Sequence, residues 1–178
     1  MLQYNANIPI IKIPIDADVE LYIKREDLVH PTISGNKFWK LYYNIIQYLS
    51  LKKNTPKIIT FGGAYSNHIS ATAFLGNEIN IPTLGIIRGD ELENSILENP
   101  TLTKAEKNGM QFRFVNRELY RDKNHLTQIL QEEFPEALII PEGGSNISAV
   151  DGIKMMLNQQ TQDFDYLCSA VGTGGTIS

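Results

Sequence analysis

Three lysines stand where chemistry could use them. Lys24 precedes Arg25-Glu26-Asp27, while Lys37 and Lys40 follow Ser34-Gly35-Asn36. Lys37 and Lys40 are three residues apart, so they share one face of any helix that carries them. An ammonium removed from water near a second cation is disfavoured, and its neutral amine is nucleophilic enough to attack a carbonyl carbon. Spacing alone does not choose among Lys37, Lys40 and Lys24. Glycine-bearing segments supply the complementary feature. They are Gly62-Gly63-Ala64-Tyr65-Ser66-Asn67-His68, Gly89-Asp90, Pro141-Glu142-Gly143-Gly144-Ser145-Asn146 and Gly172-Thr173-Gly174-Gly175-Thr176. Glycine lets backbone N–H groups face a ligand with no Cβ in the way. Ser, Thr and Asn add donors, and a helix N-terminus behind such a loop favours anions. A loop of this kind is also the ordinary turn from strand to helix. Three on one sheet edge point instead to a small anionic ligand.

A dinucleotide is poorly supported. Gly172-Thr173-Gly174 begins like a G-x-G-x-x-G fingerprint, but the third position is Ile177. No G-x-x-x-x-G-K-[ST] loop is present. A single phosphate cradle is the more economical reading.

The elements that must position these residues follow from periodicity. Residues 19–24 alternate apolar and polar, as a half-buried strand does. Residues 25–36 read as a loop with Pro31 and Gly35. Phe38, Leu41, Tyr42, Ile45 and Leu49 then recur at helical spacing and predict a helix over roughly 36–51. Beyond it, strands are expected at 57–61, 83–88, 111–115, 137–140 and 166–171. Helices are expected at 66–75, 97–107, 125–133 and 147–157. The strands are short apolar runs, which fits a parallel sheet covered on both faces. Alternating strands and helices argue for right-handed βαβ units. Ligands then belong beyond the carboxyl ends of the strands, where the glycine-bearing loops fall.

Composition narrows the function classes. The chain has 178 residues, 42% of them hydrophobic, and a net charge of -4. Lys and Arg are scattered, so no basic stripe offers itself to nucleic acid. The one cysteine, Cys168, lies in an apolar run and reads as a small buried hydrophobe. With one cysteine no internal disulfide is possible, and no Cys/His metal spacing occurs. No segment has the length of a membrane span, and the start lacks a basic and apolar leader. A soluble cytoplasmic protein with a small-molecule partner is expected.

The motifs Lys24-Arg25-Glu26-Asp27, Ser34-Gly35-Asn36-Lys37-Phe38-Trp39-Lys40, Gly62 to His68 and Gly172 to Thr176 occur in a familiar order. As an ordered set the chain resembles the 1-aminocyclopropane-1-carboxylate deaminase / D-cysteine desulfhydrase family, over nearly its whole length. The resemblance implies an α/β fold of the two-lobed tryptophan-synthase β-like type with mostly parallel sheets. It implies residues 1–49 in a large lobe, 50–150 in a small lobe, and 151–178 back in the large lobe. It also implies pyridoxal 5'-phosphate as cofactor, a small amino acid as substrate, and a homodimer. Lys37 would carry the cofactor as a Schiff base and shuttle the substrate α-proton. Lys40 would meet the phosphate, with Gly172, Thr173, Gly174, Gly175 and Thr176 around it. Asn67 would bond the phenolic oxygen. Ser66, Asn67 and His68 would receive the substrate carboxylate, with Ser66 positioning the substrate.

Two departures from the family pattern bear on function. Tyr65 stands where many members carry glutamine, and His68 is the residue found in desulfhydrase-like members. Both lean away from opening a cyclopropane ring. The family also continues beyond the position of Ser178, into a region that supplies the partner of the pyridine nitrogen and tyrosines near the substrate. The C-terminal part of the large lobe is therefore absent from this sequence. Two other readings stay open here: a truncated, non-catalytic member that holds the cofactor weakly or not at all, and a nucleotide-binding Rossmann-like protein.

Overall fold

A computed structural model describes residues 2–171 and 174–177. Its centre is a parallel sheet of β3 (Ile58–Gly62), β4 (Thr83–Arg88), β5 (Met110–Val115) and β6 (Leu138–Ile140), in the order β5-β4-β3-β6. An antiparallel hairpin of β1 (Ile10–Ile13) and β2 (Leu21–Lys24) stands apart from it. The helices are α1 (Asn36–Ser50), α2 (Asn67–Glu78), α3 (Pro100–Lys107), α4 (Arg117–Arg121), α5 (Lys123–Glu133) and α6 (Ile147–Lys154).

The chain winds outward from β3 through β4 to β5, then crosses back to place β6 on the other side of β3. Each direction covers one face of the sheet. On one side Ile69 and Ala73 of α2 and Leu102 and Ala105 of α3 pack with Ile87 and Met110. On the other side Tyr120, Leu126 and Leu130 pack with Ile59, Phe61, Leu84 and Ile86. Burial on both faces is why the strands read as unbroken apolar runs. Each fully buried Ile contributes about 2 kcal/mol.

Helix α1 buries Phe38, Leu41 and Ile45 of the period read from the sequence, with Tyr48 and Lys40 beside them, whereas Tyr42 is half-buried and Leu49 exposed. It packs closely on α6. A Cβ at Gly152 would lie 1.9 Å from the Trp39 carbonyl oxygen, so only glycine permits this approach.

Several expectations are corrected. Residues 166–171 form no strand, and Tyr166, Leu167 and Val171 are exposed, as is Cys168. An extended run needs a neighbour for its ladder, and no described strand pairs with this one. In β2 the alternation is real, but its apolar members Leu21 and Ile23 face outward. The inward side belongs to Tyr22, in edge contact with Phe164, and to Lys24, which pairs with Glu26. Helix α3 starts at Pro100, later than expected, because Asn99 caps it and residues Asp90–Glu98 form a separate 3-10 segment. Helix α6 ends at Lys154. Strand β1, between Pro9 and Pro14, and the short α4 were not foreseen. No helix among the described residues is long and apolar enough to cross a membrane.

Candidate functional site

The site is built at the N-terminal end of α1, against the loops that follow β3 and β6. The loop that leads into α1 is fixed locally. His30 Nδ1 accepts from the Thr32 and Ile33 N–H groups at 3.2 Å, and Glu26 O accepts from Gly35 N at 2.9 Å. Gly35 adopts φ 62° and delivers the chain into the helix. Asn44 on α1 and Asn146 exchange side-chain hydrogen bonds of 3.1 and 2.7 Å. Asn146 also accepts from Ala149 N and so caps α6. One pair of amides thus holds the 141–146 loop on the helix that carries the lysines.

The structure separates the three lysines. The Lys24 ammonium is 2.9 Å from the Glu26 carboxylate, whose other oxygen accepts from Trp39 Nε1 at 2.6 Å. Lys24 also donates to the Met156 carbonyl. It is a satisfied structural lysine. Lys40 is only 1% exposed, yet it makes no ion pair among the described residues. Among the described residues it reaches the Gly143 carbonyl at 3.3 Å and the Ser145 hydroxyl at 3.4 Å. Burial first, and then the charge of Lys37, lower its pKa to about 8. Burial also holds the half-buried Lys37 below the usual lysine range.

His68 joins them. It is 1% exposed, and neither ring nitrogen has a hydrogen-bond partner among the described residues. Burial and then the positive charges of Lys37 and Lys40 push its pKa down to about 3, so the ring is neutral. Gly144, at φ 72°, lies against it: a Cβ there would come 3.0 Å from His68 Cε1. Ser66 caps α2 by accepting from Ile69 N at 3.4 Å and is half-buried, while Asn67 is exposed in the first turn.

The last loop closes over the same place. Asn36 Nδ2 donates to Thr176 Oγ1 at 2.7 Å. A Cβ on Gly175 would lie 3.0 Å from Lys40 Nζ and 2.5 Å from Ser145 Oγ, so glycine is what fits. Gly175 therefore lies against Lys40, and Thr176 against Asn36. Gly172 and Thr173 lie outside the described residues.

Asn36 and Ser145 were not singled out in the sequence. Ser145 had a signal, since it sits in one of the three polar glycine loops. Asn36 had none beyond adjacency to Lys37.

The arrangement gathers two lysines, a neutral histidine and a glycine cradle, and among the described residues no carboxylate pairs with either lysine. A buried cation without a partner is costly. A phosphate at Lys40 would neutralise it and use the donors of Ser145 and the 174–176 loop. The residues present fit such a group.

No family model matches the chain. A Thermotoga maritima protein provisionally named 1-aminocyclopropane-1-carboxylate deaminase is 34% identical over 170 residues, covering 89% of this chain and 52% of its own. The mitochondrial Arabidopsis thaliana protein named bifunctional D-cysteine desulfhydrase/1-aminocyclopropane-1-carboxylate deaminase is 33% identical over 178 residues, covering 89% and 43%. The crystal structure of an ACC deaminase homologue superposes with a TM-score of 0.75 at 25% identity, over 99% of this chain and 55% of that one. The chain spans about half the length of the curated relatives it matches. Its fold is the α/β fold of the tryptophan-synthase β-like enzymes, with the expected parallel sheet. The chain is thus a relative of the 1-aminocyclopropane-1-carboxylate deaminase and D-cysteine desulfhydrase family, matched over the part that bears Lys37, Lys40 and His68.

Proposed function

We propose that this chain carries the lysine-bearing part of a pyridoxal-phosphate-dependent lyase that takes a small amino acid and releases ammonia and a 2-oxo acid. The observation behind this is Lys40, a buried ammonium with hydroxyl and carbonyl neighbours but no anionic partner among the described residues. The names of the relatives support the same reading.

Lys40, Ser145 and residues 174–176 would hold the cofactor phosphate, with Gly172 and Thr173 added from the family resemblance. Asn67 would bond the phenolic oxygen, and Lys37 would hold the cofactor covalently. When bound, the cofactor takes up the electron pair left as the substrate Cα–H bond breaks. Lys37 is the group to move that proton, because its amine is already held below the ordinary lysine range. The N-terminus of α2 would receive the substrate carboxylate, with Ser66 positioning it. His68 stays neutral and adds no charge beside the lysines. Its identity favours D-cysteine or a close relative over the cyclopropane substrate. Residues 50–150 as a small lobe, the flanking segments as a large one, and a homodimer belong to the same proposal.

The test is direct. Purified protein given pyridoxal phosphate should develop a visible absorbance that Lys37→Ala abolishes, and should form pyruvate and sulfide from D-cysteine. Absorbance without turnover of any small amino acid would leave a cofactor-binding but non-catalytic chain. No absorbance at all ends the proposal.

A further inference from the structure

A second gathering of cations lies away from the lysine pair. The loops after the strands enclose a cleft of about 530 Å³ lined by Arg88, Arg117, Arg121, Lys123, Tyr120 and Glu142, with Gly63 to Tyr65 forming one wall. Neither Lys37, Lys40 nor His68 lines it. The topology brings its members together: Arg88 ends β4, α4 follows β5, Lys123 opens α5, and Glu142 follows β6.

Four cations meet one carboxylate in this cleft. Glu142 serves Lys123, at 3.4 Å. Arg117 turns out to Glu91 in an exposed pair, which holds it only weakly. Arg88 and Arg121 make no ion pair among the described residues. Like charges gathered at the mouth of a cleft focus the field on whatever enters.

Tyr120 gives the second observation. It is 2% exposed, and among the described residues its hydroxyl has no hydrogen-bond partner of normal geometry. Burial, and after it the nearby Glu142, push its pKa up. Its ring is occupied, with the Lys123 ammonium 3.0 Å from the centroid and the Arg88 guanidinium 5.7 Å away. The Glu142 carboxylate lies near its hydroxyl without making a hydrogen bond of normal geometry. A buried donor held off from its nearest acceptor is expensive, and a bound anion supplies a better-placed one.

We infer that this cleft is a second anion site, which takes the carboxylate or phosphate group of a small molecule, with Arg88, Arg117 and Arg121 neutralising it and the Tyr120 hydroxyl donating to it. The inference does not depend on the cofactor proposal, because the two sites share no charged residue.

Backbone amide NMR of the whole chain tests it, at low and constant ionic strength so that exposed arginines are not screened. Inorganic phosphate and succinate are titrated separately, into wild type and into Lys40→Met, which removes the ammonium of the other site. Saturating shifts at residues 63–65 and 117–123 in both proteins are expected, and whichever anion saturates identifies the group. Tyr120→Phe should weaken binding about tenfold, the value of a hydrogen bond to a charged acceptor. That variant loses only an unsatisfied hydroxyl, so it should fold. Arg121→Gln should weaken binding by a smaller factor. Shifts that never saturate, shifts confined to residues 36–40 and 143–145, or equal affinity in Tyr120→Phe would overturn the inference.

Discussion

Lys24 and Lys40 are both lysines taken largely out of water, and they are treated oppositely. Lys24 has the carboxylate of Glu26 at 2.9 Å. Lys40 has a carbonyl and a hydroxyl at the outer limit of hydrogen bonding. The first is a closed unit, tied through Glu26 to the Trp39 indole. The second is an open one. A fold that gives one lysine a carboxylate and withholds it from the other distinguishes structure from site. The difference between a paired and an unpaired buried charge is the signal, and lysine burial by itself is not.

The largest effect that sharpens this contrast is on the closed unit. Glu26→Ala should destabilise the chain by about 3–5 kcal/mol in chemical unfolding, because it strands Lys24 and the Trp39 N–H. A loss below 1 kcal/mol would mean that Lys24 is solvated and the contrast is false.

Lys40 should behave the other way. Its folded pKa of about 8 lies below the ordinary 10.5. Between those values the unfolded chain binds more protons than the folded one, so stability rises with pH across that window. The penalty is fully present below pH 8 and is gone above 10.5. Lys40→Met should therefore be more stable than wild type at neutral pH, by up to about 3 kcal/mol, with the gap closing as pH rises. Urea unfolding of both proteins across this range reads it.

Gly152→Ala comes next. Its Cβ would run into the Trp39 carbonyl, pushing α6 away from α1. About 1–3 kcal/mol should be lost, with a matching fall in cofactor affinity if the 141–146 loop moves with α6.

The smallest effect is per unit of pH. His68 has its pKa lowered to about 3 from 6.5. Between these values the unfolded state again binds more protons, so His68 costs stability as pH falls below 6.5. The slope is about 1 kcal/mol per pH unit, and His68→Gln should remove it from acid-unfolding curves.

Much of the scaffold was legible because burial on both faces writes itself into sequence as apolar runs. Strand β4 (Thr83–Arg88) was read to the residue, and α1 to within one. Residues 166–171 misled for the same reason: an apolar run implies a strand only if a neighbour exists to pair with it. In β2 the alternation was visible, but which side faced inward depended on Phe164 and Glu26, which local sequence does not reveal. The choice among Lys24, Lys37 and Lys40 failed alike, because it rests on a carboxylate two residues away for one lysine and on loops a hundred residues away for another. The ordered motifs bridged that gap by resemblance. The unsatisfied hydroxyl of Tyr120 left no trace in the sequence, since a buried tyrosine reads as core.

The central claim is that the unpaired lysines on α1 form the cofactor site. It is tested most directly by adding pyridoxal phosphate to the chain, reducing with borohydride, and mapping the modified lysine by peptide mass spectrometry. The account predicts one dominant adduct at Lys37, lost in Lys37→Ala and formed only at higher cofactor concentration in Lys40→Met. An adduct on Lys24, an even scatter over surface lysines, or no adduct would contradict it.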